Sequence, residues 1–495
     1  MSLPKGWAST TTAEACAAVQ AGGTPKTGFI SQPGIPFLKV YNIVEQEIDF
    51  NHRPQFISES IHQGELRKSI TLPGDVLMNI VGPPLGKVAI VPQTFPEWNA
   101  NQALTIFRPS AAVISRWIYY FLCGGSSVQS VVNETRGSAG QVNISLSQCR
   151  NFELSLPPAA EQRRIVAKLD ALIARLARAR AELEFSSQLV DRFRLSALRA
   201  GVMGELTGDW RVTTTNVVPV EALLRTVATP QQGRGGRGAT DKIIPGAAGL
   251  AVNDPGTALP NGWKWVSLLR IAKQETGHTP SRSQASYWDG GVPWIGIRDA
   301  GAHHGRYIEE TVQTISEAGL ANSSARLLPS GTVCLSRTAS VGYVTIMGRS
   351  MSTSQDFATW TCTDALLPEY LMYALMAEGE DIRRFGMGST HTTIYFPEIR
   401  ALHIALPPLE EQREIIVRIK QALARANRLE AEAARGCALL DRLESAILAK
   451  AFKGELVPQD PNDVPASVLL DRIQAQRASA PEAKHKRRSV RRITA

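Results

Sequence analysis

The chain has 495 residues, 43% hydrophobic and 20% charged, a globular composition with room for about three domains. No apolar run approaches the roughly 20 residues that span a bilayer, and the N-terminus lacks a basic stretch followed by an apolar core, so a cytoplasmic chain is expected. Six scattered cysteines with no CxxC pair argue against zinc and disulfides, while a net charge of +9 and a pI near 9.3 favour a polyanionic partner.

In chain order, residues 1–155 form a first globule. Ile35 to Val40, Val76 to Val81, Lys87 to Val91 and Leu104 to Phe107 are short β-rich runs punctuated by Gly and Pro, and Arg116 to Cys123 suits a short helix. Residues 156–206 open with Leu156-Pro157-Pro158, which suits a first helical turn. Acidic Glu161 complements the helix dipole, and Gly204 marks the expected stop. Between them Ile165, Leu169, Leu172, Leu176, Ala179, Leu183, Ser186, Val190, Phe193 and Ala197 keep the 4-3 rhythm of a coiled coil.

Residues 207–258, rich in Gly, Pro and Arg, read as a flexible linker. Gly233-Arg234-Gly235-Gly236-Arg237-Gly238 formally fits GxGxxG, but it follows no strand and opens no helix. Residues 259–405 are a second globule with a short helix expected at Glu369 to Ala377. Residues 406–456 repeat the long helix, with Ile415, Ile419, Ala422, Ala426, Leu429, Ala433, Gly436, Leu440, Leu443 and Ile447 on the seam. Residues 457–495 are a tail in which Lys484, Lys486, Arg487, Arg488, Arg491 and Arg492 cluster.

The two halves are copies. Leu156-Pro157-Pro158-Ala159-Ala160-Glu161-Gln162 matches Leu406-Pro407-Pro408-Leu409-Glu410-Glu411-Gln412 at an offset of 250, and that register runs on to Gly204-Glu205-Leu206 and Gly454-Glu455-Leu456. Upstream the offset drifts, but Leu3-Pro4-Lys5-Gly6-Trp7 still answers Leu259-Pro260-Asn261-Gly262-Trp263. Thr24-Pro25-Lys26 answers Thr279-Pro280-Ser281, and Gly34-Ile35-Pro36-Phe37-Leu38 answers Gly291-Val292-Pro293-Trp294-Ile295. Leu and Ala often exchange between the two seams, which favours pairing within the chain; dimerisation with a second molecule stays open. If the rods pair antiparallel they carry two like globules at a fixed separation, a ruler for two sites on duplex DNA. A coiled coil used only for oligomerisation is the other reading.

Catalytic motifs are near misses. Gly82-Pro83-Pro84-Leu85-Gly86-Lys87-Val88 is one residue short of a phosphate loop, and its prolines remove needed N–H donors. No Asn/Asp-Pro-Pro-aromatic segment of an adenine methylase is present. His303-His304 lacks carboxylate partners, and no HExxH spacing occurs.

The ordered set LPxGW, a TP loop, Gly291-Val292-Pro293-Trp294, an LP-x-G turn, Ser354-Gln355 or Asn101-Gln102, Gly388-Ser389-Thr390 and LPPxxEQ, occurring twice, resembles the specificity subunit of type I restriction-modification systems. The resemblance implies an α+β chain: two similar mixed α/β target recognition domains joined by two long antiparallel coiled-coil helices, a pseudo-two-fold internal repeat. It implies a non-catalytic subunit with no cofactor of its own that reads a bipartite, asymmetric double-stranded DNA target. Modification (adenine methyltransferase) subunits and a restriction (translocase/nuclease) subunit are the implied partners. In the first half Met78-Asn79-Ile80-Val81 replaces Leu335-Ser336-Arg337-Thr338, and Gly137-Ser138-Ala139-Gly140-Gln141 replaces the Gly-Ser-Thr loop.

Base and phosphate contacts call for Arg, Lys, Asn, Gln, Ser or Thr on loops. The candidates are Arg282, Ser283, Arg298, Arg337, Thr338, Gln355 and His391 in the second globule, and Lys26, Thr27, Lys87, Asn101, Gln102, Arg136 and Gln141 in the first. Trp263 and Trp294 are expected in the core. Rival functions are a stand-alone nuclease or fused methylase, and a coiled-coil scaffold indifferent to DNA sequence.

Overall fold

The computed structural model describes residues 3–31, 34–82, 85–136, 143–215, 217–233, 238–338, 340–386 and 392–479. The chain divides into two compact units, Met1–Glu182 with Gly436–Ala495, and Leu183–Arg435. Two unbroken 44-residue helices, Ala159–Val202 and Leu409–Phe452, each begin in one unit and end in the other.

In the first unit a four-stranded sheet runs Val88–Ile90, Val76–Asn79, Leu104–Pro109, Cys16–Ala21, all antiparallel. A five-stranded sheet beside it is built around Ile35–Leu38, which pairs parallel with Trp98–Ala100. The helix Ser115–Gly124 buries Trp117, Ile118 and Phe121 in a core shared with Ile165, Leu169, Leu176, Ile447 and Leu448 of the long helices.

The second unit repeats the plan. Ala272–Thr276, Phe357–Cys362, Val333–Ser336 and Val344–Met347 are adjacent antiparallel strands, with Tyr307–Ile308 added at the edge. Trp288–Ile295 pairs parallel with Ser352–Thr353. The helix Pro368–Ala377 packs into a core with Leu198, Val202, Ile415 and Ile419.

Within each unit the two long helices run antiparallel. In the first, Arg180 reaches Asp441 at 2.5 Å and Glu444 at 3.5 Å. In the second, Arg194 reaches Glu430 at 2.5 Å and Asn427 at 2.9 Å. The seam differs from the heptad expectation at three positions: Phe193, Leu429 and Leu443 are exposed. A straight α-helix drifts about 20° per heptad against a 3.5-residue repeat, so a strict 4-3 pattern slides off the contact line unless the pair supercoils.

The helix ends explain the repeated motifs. Each paired proline lies just ahead of its helix, not inside it, and the carbonyls of Pro158 and Pro408 accept the first helical N–H bonds, from Gln162 and Gln412 at 2.9 Å. Glu161 accepts from the Trp7 indole at 3.0 Å, and Glu411 from the Trp263 indole at 2.7 Å; all four side chains are buried. The glutamines after them hold backbone: Gln162 takes the Ile114 N–H and donates to Pro157, and Gln412 takes the Leu367 N–H and donates to Ala365 and Pro407. Gly454 (φ +73°) lies against Trp7 and Gly204 (φ +78°) against Trp263. Each tryptophan therefore clamps the start of one long helix to the end of the other. Both ends close as Schellman caps: Gly204 and Glu205 donate to Gly201 and Ala200, and Gly454 and Glu455 donate to Ala451 and Lys450.

Two segments differ from expectation. The linker 207–258 carries helices Gly208–Thr213 and Val220–Thr226, and its strand Leu250–Val252 pairs with Leu402–Leu406. The tail carries helix Ala466–Ser479, which buries Ala466, Leu469 and Ile473 and is tied on by an Arg164–Asp463 ion pair at 2.6 Å. These segments are a third repeated piece: Val220 N–H donates to Gly262 O at 3.3 Å as Ala466 N–H donates to Gly6 O at 2.8 Å. Apolar side chains needing cover beside each LPxGW turn outweigh the Gly- and Pro-rich composition. Residues 234–237 of the GxGxxG stretch, Pro83 and Pro84 of the phosphate-loop near miss and the basic cluster from Lys484 to Arg492 lie outside the described residues.

Candidate nucleic-acid interface

Strand register gathers the candidate loops at one edge of each main sheet. In the first unit Leu104 pairs with Asn79 and Thr105 with Ala21, so the loops after Ala21, after Asn79 and before Leu104 emerge together. In the second, Ala358 pairs with both Thr276 and Leu335, which brings out the loops after Thr276, after Ser336 and before Phe357.

The backbone bonds that brace these loops repeat between the units. Gly23 N–H donates to Ala100 O at 2.8 Å and His278 N–H to Thr353 O at 2.9 Å. Asn101 N–H meets Leu38 O at 2.9 Å as Ser354 N–H meets Ile295 O at 3.2 Å. Ile144 N–H meets Ile80 O and Ile394 N–H meets Arg337 O, both at 2.9 Å. Thr24 Oγ1 accepts from Gln102 N–H at 3.4 Å, and Thr279 Oγ1 donates to Gln355 Oε1 at 2.6 Å, so each TP loop is tied to its glutamine loop. Glycine is required where the two loops cross. A Cβ on Gly22 would sit 2.0 Å from the Asn101 carbonyl oxygen, and one on Gly277 would sit 1.9 Å from that of Thr353. The sequence reading missed this pair, although Gly-x-Thr-Pro stands in both copies as a visible signal.

In the second unit Arg282 is exposed, with its guanidinium 4.6 Å from the centroid of Trp288 and 5.6 Å from that of Trp294, and it donates to Gln313 at 3.3 Å. Beside it a cleft of about 430 Å³ is lined by Arg282, Arg298, Gln313, Ser354 and Asp356 among others. Arg298 and Gln355 are exposed; Ser283 is exposed and bonds Ser281 at 2.8 Å; Thr338 is half-buried. Arg337 is placed differently from an outward-reaching arginine. It is half-buried, donates to the carbonyls of Gln355 (3.0 Å) and Ile394 (3.5 Å) and stacks on Phe396 at 4.4 Å. Burial pulls its pKa below the ordinary arginine value, with Asp356 opposing. Its positional counterpart in the first unit is buried Ile80.

In the first unit Lys26, Thr27 and Gln102 are exposed on adjoining loops. The Asn101 amide oxygen is shielded and takes no hydrogen bond among the described residues. Lys87 is turned to the Ile43 carbonyl at 3.0 Å. Arg136 is placed as the last residue of helix Ser126–Arg136, and Gln141, His391, the 137–141 loop and Gly388-Ser389-Thr390 lie outside the described residues. Trp263 and Trp294 are buried. Among the described residues no group of three His, Cys, Asp or Glu side chains could hold a metal ion, and no helix is long and apolar enough to cross a membrane.

This frame can present donors and acceptors along a groove edge. The MjaIX specificity subunit of Methanocaldococcus jannaschii is 30% identical over 159 residues, 32% of this chain and 37% of that protein. The EcoKI specificity subunit of Escherichia coli K12 is 24% identical over 396 residues, 76% of this chain and 74% of the relative. In fold, the HsdS subunit from Thermoanaerobacter tengcongensis superposes with a TM-score of 0.53 at 21% identity, covering 92% of this chain and 99% of that one. A chain from a structural study of type I R-M complex assembly and conformational transition superposes with a TM-score of 0.65 at 21% identity, covering 92% and 100%. The model of the type I restriction modification DNA specificity domain matches residues 4–184 and again 260–434. With most of its length in those two matches, and the loop frame built twice in them, the chain belongs to the type I restriction-modification DNA specificity family.

Proposed function

We propose that this chain, by family a DNA specificity subunit, reads a two-part asymmetric DNA target, one part with the loop edge of each recognition domain. The observation that carries this is the pairing of one backbone frame with two different sets of side chains. The shared hydrogen bonds hold the loops alike, while Lys26, Thr27 and Gln102 in one domain and Arg282, Arg298 and Gln355 in the other offer different donor and acceptor patterns. Arg337 and Lys87 act as loop holders in this reading. The long helices, unbroken between units, set the spacer between half-sites.

The chain itself supplies no catalysis. Adenine methylation belongs to modification subunits and cleavage to a restriction subunit, both separate chains. The test is to co-express the chain with its modification subunits and map methylated bases genome-wide. N6-methyladenine in a split, non-palindromic motif is expected. A single continuous motif, or methyl transfer by the purified chain alone, overturns the reading.

A further inference from the structure

Each recognition domain carries a cation that sits on an aromatic pair without a carboxylate partner among the described residues, and the two cations come from non-equivalent sequence positions. In the second domain this is Arg282 over Trp288 and Trp294. In the first it is Lys39, whose ammonium lies 5.2 Å from the centroid of Phe29 and 6.0 Å from that of Phe37. Arg116, on Tyr119 and Tyr120 in the first domain, is instead paired with Asp170. Phe37 and Trp294 occupy the same place in the repeat, in strands Ile35–Leu38 and Trp288–Ile295. Arg282 follows the TP loop directly, whereas Lys39 follows the strand that leads to the Asn101 contact. Alignment of the halves therefore cannot pair them.

Two further observations point outward. Neither cation pairs with a carboxylate among the described residues, unlike Arg108, Arg164, Arg180 and Arg194. Phe29 and Ile30 are 43% and 42% exposed, an apolar surface beside an uncompensated charge. Both platforms adjoin the loops assigned above to DNA: the indoles of Trp288 and Trp294 donate to the carbonyls of Ser281 and His278 in the TP loop, while Phe29 follows the other TP loop and Lys39 follows Leu38, whose carbonyl takes the Asn101 N–H.

We propose that Lys39 on Phe29 and Phe37 is a DNA-contacting group of the first domain, and that it and Arg282 bind backbone phosphate. This rests on the DNA-reading assignment of the loop edges. Half-sites that differ in sequence share only their sugar-phosphate backbone, so a device rebuilt in both domains should touch what both half-sites have in common. The aromatic faces hold each cation in place, and Arg282, which gives one N–H to Gln313, keeps further donors for a phosphate.

The test measures binding of the full chain, with co-purifying modification subunits, to a duplex carrying the mapped motif and to a scrambled duplex, at 50 to 200 mM salt. Lys39→Ala and Arg282→Ala should each weaken binding to both duplexes and lower the salt slope by about 0.9, so that over this range each variant loses about 3.5-fold less affinity than the parent. Phe29→Ala should weaken binding while keeping most of the slope, and Lys39→Arg should retain both. Unchanged affinity and slope in Lys39→Ala overturn the proposal, and so does a loss confined to one base position of the motif, which would mark a base reader. A parent chain that binds neither duplex would overturn the functional reading itself.

Discussion

Asp75 and Arg108 in the first domain are joined by two hydrogen bonds, at 2.9 and 2.6 Å, and Asp75 is buried. In the second domain the same pair of positions is Thr332 and Thr361, whose hydroxyls meet at 3.1 Å. One scaffold thus holds an ion pair and a neutral hydrogen bond at equivalent sites. Removing one partner of a buried pair leaves a stranded charge, so Arg108→Ala should cost about 3 kcal/mol, while Asp75→Thr with Arg108→Thr should recover most of it. A double-mutant cycle on denaturant midpoints checks this.

The clamp glutamates differ in a similar way. Glu411 has Arg211 and Thr207 beside its tryptophan, whereas one Glu161 oxygen is buried without a hydrogen-bond partner among the described residues. Burial pushes the Glu161 carboxyl above its ordinary range, with the Trp7 N–H opposing. A raised folded-state pKa means folding takes up a proton as pH falls. The cost of the buried carboxylate is therefore full above the folded pKa and fades as pH drops toward the unfolded value. Glu161→Gln should abolish that slope and leave neutral-pH stability unchanged or higher. Glu411→Gln, which strands Arg211, should lower it by about 1–3 kcal/mol. Melts between pH 4 and 8 distinguish the two.

At the scale of elements, the crossing glycines decide whether the reading edge forms. Gly277→Ala must push the Thr353 carbonyl away and so separate the TP loop from the Gln355 loop. The expected outcome is a relaxed second half-site with the first intact in the methylation motif, whereas Gly291→Ala, with open space around it at φ +89°, should cost only backbone strain. Strand and helix positions were legible because their patterns are local: the run from Leu104 became Leu104–Pro109 and the helix from Arg116 became Ser115–Gly124. The Lys39 platform was not legible, since its parts come from different strands and have no aligned counterpart. The surroundings of Arg337 were hidden for a related reason: the carbonyls of Gln355 and Ile394 that it binds come from distant parts of the chain.

At the scale of the whole molecule, the duplication and its two long helices were plain in the sequence, because LPPxxEQ and LPxGW recur intact. The pieces after each helix escaped because Val220 and Ala466 share a role and almost no sequence. Deleting residues 457–495 should uncover the surface that Ala466, Leu469 and Ile473 pack on, and remove the Arg477 bonds to the carbonyls of Ala13 and Cys16. Limited proteolysis should then cut residues 1–182 much faster and leave 183–435 resistant. Deleting 480–495 alone should leave both as they were.

That arrangement has a bearing on synthesis. The unit made of residues 183–435 has all its parts once its last helix turn leaves the ribosome, while the unit that begins at the N-terminus waits for residues 436–479 to finish. A product cut short by a nonsense codon in the second long helix would carry one finished reader and one with its inner face bare, open to chaperones and proteases. Both units are whole only once the segment through Ser479 has been made, so the order of synthesis finishes the second recognition domain before the first.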